Sequence, residues 1–195
     1  MDAAIARGQG RSATGGALEA LTIECIMPGQ VALIIEAETD NRNRAMADLR
    51  LIVKDNGGIT TPCSYLFQRK GRIAFAKDEN GVGVDDVLDD AIEAGAEDVE
   101  LDEEGGIVVW TEPNMTNATA DALSQSHGLK LESSDIIWNA NADTKVEIQE
   151  EEALMLIKFL DFMYDTPYTQ GISGNLSQGS LSEEVWEALQ EKVDL

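Results

Sequence analysis

Residues 20–58 read ALTIECIMPGQVALIIEAETDNRNRAMADLRLIVKDNGG. Two short apolar runs rich in β-branched residues, 20–25 and 31–37, flank the turn Met27-Pro28-Gly29-Gln30, and this pattern predicts two strands. The period then changes. Ala45, Met46, Leu49, Ile52 and Val53 recur at helical spacing and share one face, so a helix is predicted over 41–56. Thr39 or Asp40 is placed to cap its start, and Gly57-Gly58 to stop it. Strand, turn, strand, helix is not a strict β-α-β repeat. The predicted class is α+β, with helices covering one face of mostly antiparallel sheets in ferredoxin-like-type arrangements.

Working outward, CSYLFQRKGRIAFA (63–76) predicts a hairpin turning near Lys70-Gly71. ENGVG (79–83) reads as a linker. Residues 84–94 predict an amphipathic helix with Val84, Val87, Leu88, Ala91 and Ile92 inward. EDVELDEEGGIVVWTE (97–112) predicts a hairpin turning at Gly105-Gly106, followed by a helix over 114–126 and a strand in KLESSDIIW (130–138). TKVEI (144–148) predicts one more strand, residues 149–164 a strong helix, and TQGISGNL (169–176) a last strand. In SLSEEVWEALQEKV (180–193), Ser180 and Glu183 have capping-box spacing ahead of a C-terminal helix.

The formal net charge is -23, and it is unevenly spread. Residues 1–77 hold ten Lys+Arg against eight Asp+Glu, whereas residues 78–195 hold four against twenty-nine. Such a balance argues against avid binding of bare duplex DNA, because phosphate neutralisation supplies most of that affinity. No apolar run approaches the roughly 20 residues that span a bilayer, so no membrane partner is expected. Cys25 and Cys63 match neither a disulfide framework nor a zinc spacing and are read as reduced thiols. His127, beside Gly128, suits a helix end. It has no evident Ser-His-Asp or Cys-His company, and no phosphate-binding glycine loop occurs. Asp98, Glu100 and Asp102 alternate as the acidic side of a strand rather than as a calcium loop. No catalytic residue, metal site or cofactor is therefore expected, and the chain is not expected to be an enzyme.

Arg42, Arg44 and Arg50 are the anomaly. The first two fall where a helix begins, and the macrodipole disfavours cations there by roughly 0.3–1 kcal/mol each. One reading is phosphate contact, since a helix N-terminus offers free N–H groups and guanidinium forks complete an anion site. The other is internal pairing with carboxylates. Arg42 is expected to be a structural arginine, paired near Glu36, Glu38 or Asp40. Arg44, Arg50 and Lys54, with Arg69, Lys70 and Arg72 on the predicted hairpin turn, are the candidate nucleic-acid or ribosome contacts.

TDNRNRAMADLRLIVKDNGG (39–58) resembles the signature segment of the YebC family, which includes the mitochondrial translational activator of cytochrome c oxidase subunit I. AIARGQG ahead of it, SYLFQRKGRIAF behind it, AIEAGAEDVE and TKVEIQEEEALMLIKFLD follow in the family's order, over roughly residues 3–178. The resemblance implies two α+β domains, one inserted into the other. Residues 17–78 with 142–178 would form one, 79–141 the acidic insertion, and 179–195 a C-terminal helical extension. It also implies that residues 1–16 are the remnant of a basic N-terminal domain and its linker. In function it implies a translation regulator acting through the ribosome, ribosomal proteins or mRNA in the mitochondrial matrix. The alternatives are a cytoplasmic, DNA-binding transcriptional regulator of the YebC type and an acidic protein-binding scaffold. Oligomeric state is left open.

Overall fold

The structure is a computed structural model that describes residues 17–77, 81–102 and 105–195. It divides into two compact units: residues up to Gln68 with Asn139–Leu195, and Arg69–Trp138. The class is α+β.

In the discontinuous unit, β1 (Glu19–Met27) and β2 (Val31–Thr39) pair antiparallel from Glu19↔Thr39 to Met27↔Val31. The chain reverses through Gly29 and Gln30, both at positive φ, 79° and 62°. The short edge strand β3 (Ile59–Thr60) pairs with β1. β8 (Thr169–Gly174) pairs with β2 and completes the order β3-β1-β2-β8. Alternate residues Leu21, Ile23 and Cys25 of β1, and Leu33 and Ile35 of β2, enter one core. They pack there with Leu49 and Val53 of α1 (Arg42–Asp55) and with Leu156, Phe159, Leu160 and Met163 of α4 (Glu150–Tyr164). Each such fully buried side chain stabilises the fold by roughly 1.5–3 kcal/mol.

The other unit runs β4 (Phe67–Phe75), α2 (Val84–Glu93), β5 (Ala96–Leu101), β6 (Ile107–Thr111), α3 (Thr116–His127) and β7 (Leu131–Ala140). Its sheet order, β5-β6-β4-β7, is the split β-α-β arrangement of ferredoxin-like folds. Ile73, Phe75, Val87, Ala91, Val109 and Leu123 form its core.

Several expectations are corrected. Residues 67–75 form one continuous strand, with no turn at Lys70-Gly71. Gly71 serves close approach instead: a Cβ there would collide with the hydroxyls of Thr111 and Thr116. The units accordingly part at 68/69 and 138/139 rather than 78/79 and 141/142. TKVEI is not a strand. It follows a 3-10 turn over Ala142–Thr144 and makes a lone parallel bridge, Val146 to Leu176, while β8 takes the place beside β2. Leu88 and Ile92 are exposed rather than inward, while Val87 and Ala91 are buried and Val84 packs half-buried against the same core. The final helix, α5 (Glu183–Gln190), starts after Ser182 and lacks the expected Ser180 box. Nor is the C-terminal segment an appendage, since Leu181, Val185, Leu189 and Val193 join the core of the discontinuous unit. The reading of residues 1–16 lies outside the described residues, as do Glu79 and Asn80 of the expected linker.

Candidate nucleic-acid interface

α1 is capped by Asn41, not by Thr39 or Asp40. The Asn41 side-chain oxygen accepts from Arg44 N–H at 3.1 Å. Thr39 supports the cap instead, accepting Asn41 N–H at 3.0 Å. Buried Ala45, Leu49 and Val53 fix the helix's rotation, so Arg42, Arg44, Arg50 and Lys54 are all exposed.

The four cations differ in what holds them. The Arg42 guanidinium donates to the Ala20 carbonyl at 2.9 Å, twenty-two residues back on β1. This main-chain anchor ties the start of α1 to the sheet, where a carboxylate was expected. Arg44 makes an i,i+4 pair with Asp48 at 3.7 Å, and its side chain remains 74% exposed. Such a pair contributes a few tenths of a kcal/mol and does not sequester the guanidinium. Asp48 also accepts from the Tyr168 hydroxyl at 3.2 Å. Burial, and then this bond, push the Tyr168 phenol up, so it stays a neutral donor. Arg50 and Lys54 make no ion pair with any described residue. Arg50 borders a cleft of about 220 Å³ with Met46, Thr22, Thr60 and Thr61. At the back of that cleft Glu24 accepts Cys63 N–H at 2.6 Å and Ser64 N–H at 2.7 Å. Burial alone would raise its carboxyl, but the two amides together with the Ser64 side chain outweigh burial and hold it below the ordinary value.

The second group lies in the other unit. Arg69, Lys70 and Arg72 sit on the straight strand β4, so Lys70 and Arg72 share one sheet face and Arg69 takes the opposite one. Arg69 stacks over the Trp138 ring at 5.2 Å. Lys70 is paired with Glu97. Arg72 stands directly across from Trp110 of β6 and makes no ion pair with any described residue. Trp110 in turn donates to Glu100 at 2.7 Å. The three are therefore not the single basic cluster that a hairpin tip would have made. The aromatic neighbours Tyr168, Trp110 and Trp138, and the Asn41 cap, were not foreseen. Only the register of β4 against β6 reveals the Arg72–Trp110 pair.

His127 bonds Asp90 at 2.7 Å at the end of α3, where Gly128 turns left-handed at φ 67°. Cys25 and Cys63 are buried free thiols. Burial, then the neighbouring Cys63, pushes Cys25 up to about 12. Burial, then the Glu24 charge, pushes Cys63 up to about 11. Among the described residues no group of carboxylates, histidines and cysteines is placed to hold a metal. No helix among them is long and apolar enough to cross a membrane.

Fold and surface together define a two-unit α+β protein, the sequence of one unit inserted in that of the other, with four exposed cations on α1 and three more cations along β4. Residues 18–176 match the family model described as the TACO1/YebC second and third domain. The chain belongs to this family. A probable transcriptional regulatory protein of Aeromonas salmonicida is 37% identical over 185 residues, covering 93% of this chain and 71% of that protein. A protein of the same description from Pseudomonas putida is 35% identical, covering 97% and 73%. A crystal structure of the conserved hypothetical protein Aq1575 from Aquifex aeolicus superposes with a TM-score of 0.70 at 31% identity, over 87% of this chain and 70% of that one.

Proposed function

We propose that the protein is a non-enzymatic, YebC-type regulator of gene expression that acts through nucleic acid. Transcriptional regulation is the reading its relatives' descriptions support. The observation that carries it is the state of the cations. In a chain with thirty-seven Asp+Glu and fourteen Lys+Arg, Arg50, Lys54 and Arg72 make no ion pair with any described residue, and Arg44 keeps a weak one. Cations left free amid so many carboxylates are available for phosphate. A non-enzymatic reading is supported by both thiols being buried and raised, which keeps them from acting as nucleophiles. The relatives are bacterial, which favours a cytoplasmic setting over the mitochondrial matrix.

A second reading, action in translation through the ribosome, is favoured by the charge of -23. It weakens contact with bare duplex and suits basic protein partners. Duplex-DNA binding measured by fluorescence anisotropy, beside co-sedimentation with ribosomes at low and high salt, separates the two. Submicromolar, sequence-dependent duplex binding at physiological salt supports transcription. Salt-sensitive co-sedimentation with duplex binding in the weak non-specific range, Kd around 10⁻⁴–10⁻⁶ M, supports translation. Neither activity would refute both.

A further inference from the structure

We propose that a groove in the discontinuous unit, between the end of α1 and the outer face of α4, is a docking site for a cationic amphipathic helix of a partner protein. The groove encloses about 360 Å³. Its floor is the buried pair Met27 and Leu156, and its apolar walls are Pro28, Met155 and Phe162. Met155 is 57% and Phe162 54% exposed. Both project from α4, where Ala153, Leu156, Phe159, Leu160 and Met163 enter the core while Leu154 and Tyr164 are also exposed, so the wall belongs to an apolar outer side of a helix that has a core on its other side.

The geometry of α4 sets the kind of occupant. Met155 and Phe162 are seven residues apart, two turns, and so lie on one face about 10 Å from each other. That length suits a partner helix offering anchors at i and i+3, i+4 or i+7. Two methionines among the lining residues give a surface that repacks around different apolar anchors.

Charge chooses among occupants. Asp55 and Glu152 line the groove, and Lys158 is the cation among its lining residues. Glu151 and Asp165 continue the Met155–Phe162 stripe at either end by helical spacing, and both are exposed. The rim is therefore net acidic, as is the chain. A second copy at -23 would be repelled. Nucleic acid meets an apolar floor and carboxylates. A helix with an apolar stripe flanked by Lys or Arg satisfies both surfaces.

The probe is a synthetic Leu/Lys amphipathic helix of roughly fourteen residues, about four turns, beside a scrambled peptide of the same composition. Binding is read by calorimetry, and folding by circular dichroism. The amphipathic peptide is expected to bind at least about tenfold tighter than the scrambled one, as anchors that fill a groove require. Met155→Glu and Phe162→Glu each add a carboxylate at an exposed position and leave the fold intact. They should weaken binding at least about tenfold, whereas attraction by charge alone would leave it unchanged or tighten it. Lys158→Ala should tighten binding. Equal binding of the two peptides, or undiminished binding by both Glu variants, would overturn the proposal. So would a concentration-dependent dimer that Met155→Glu abolishes, which would make a second copy the occupant.

Discussion

α1 and α2 are each the first helix of their unit, each lies on a four-stranded antiparallel sheet, and their N-termini carry opposite charge. α2 opens with Asp85 and Asp86, and Asp86 accepts the Gly83 N–H at 2.9 Å. It thus follows the macrodipole. α1 has no acidic residue in its first turn and carries Arg42 and Arg44 there. Two local contacts offset that cost: the Asn41 cap, typically worth about 1 kcal/mol, and the Arg42 bond to Ala20. The comparison teaches that α2 follows its macrodipole, whereas α1 runs against it, with Arg42 held by the sheet and Arg44 left exposed beside the cap.

The comparison can be tested at decreasing scale. Both helices depend first on burial, so the largest loss should come from the core. Leu49→Ala, at a fully buried position, should cost about 2–5 kcal/mol in urea unfolding. A loss under 1 kcal/mol would mean that α1 is not anchored as described. Next comes the cap. Asn41→Ala should cost about 0.5–2 kcal/mol, while Gly83→Ala at the start of α2 should cost less, because the Asp86 carboxylate rather than the cap side chain serves that end. Acid titration reports on Glu24, which lines the same cleft as Arg50. Its folded pKa lies below the ordinary 4.5, so its contribution is fully present above that value and is lost as pH falls through the folded pKa. Below pH 5 the parent should lose stability more steeply than Glu24→Gln; parallel curves would show that the hydrogen bonds from Cys63 and Ser64 do not favour the carboxylate. Smallest are the dipole terms. Asn43→Asp in α1 should stabilise, and Asp85→Asn in α2 should destabilise, each by about 0.3–1 kcal/mol at low salt. Both effects should fade in concentrated salt.

Much of the fold was legible because periodicity changes sharply along the chain. The apolar, β-branched runs at 20–25 and 31–37 and the 3.6-residue repeat of Ala45, Leu49 and Val53 place β1, β2 and α1 close to their observed bounds. What misled was glycine. Gly71 looks like a turn in sequence, yet its role is set by Thr111 and Thr116, forty or more positions away, which no local pattern contains. TKVEI has strand composition, but its neighbourhood offers Val146 only the Asn175–Ser177 main chain. The cations were legible as residues and not as a surface. Helical phase shows that Arg44, Arg50 and Lys54 avoid the apolar face. That Arg69 and Arg72 face opposite ways, and that Arg72 opposes Trp110, follows only once β4 is straight and its register known.

The claim that α1 carries its cations for a ligand is tested most directly by the salt dependence of nucleic-acid binding. Affinity for single-stranded RNA and for duplex DNA would be measured across a salt series, with the parent beside Arg50→Ala/Lys54→Ala and Arg44→Ala/Arg50→Ala. Stability should stay within about 0.5 kcal/mol, as for ordinary surface changes. The slope of log affinity against log salt should shrink by about 0.7–0.9 for each lost phosphate contact, and binding should weaken across all sequences alike. Unchanged slopes and affinities in both double variants, with the fold intact, would contradict the account.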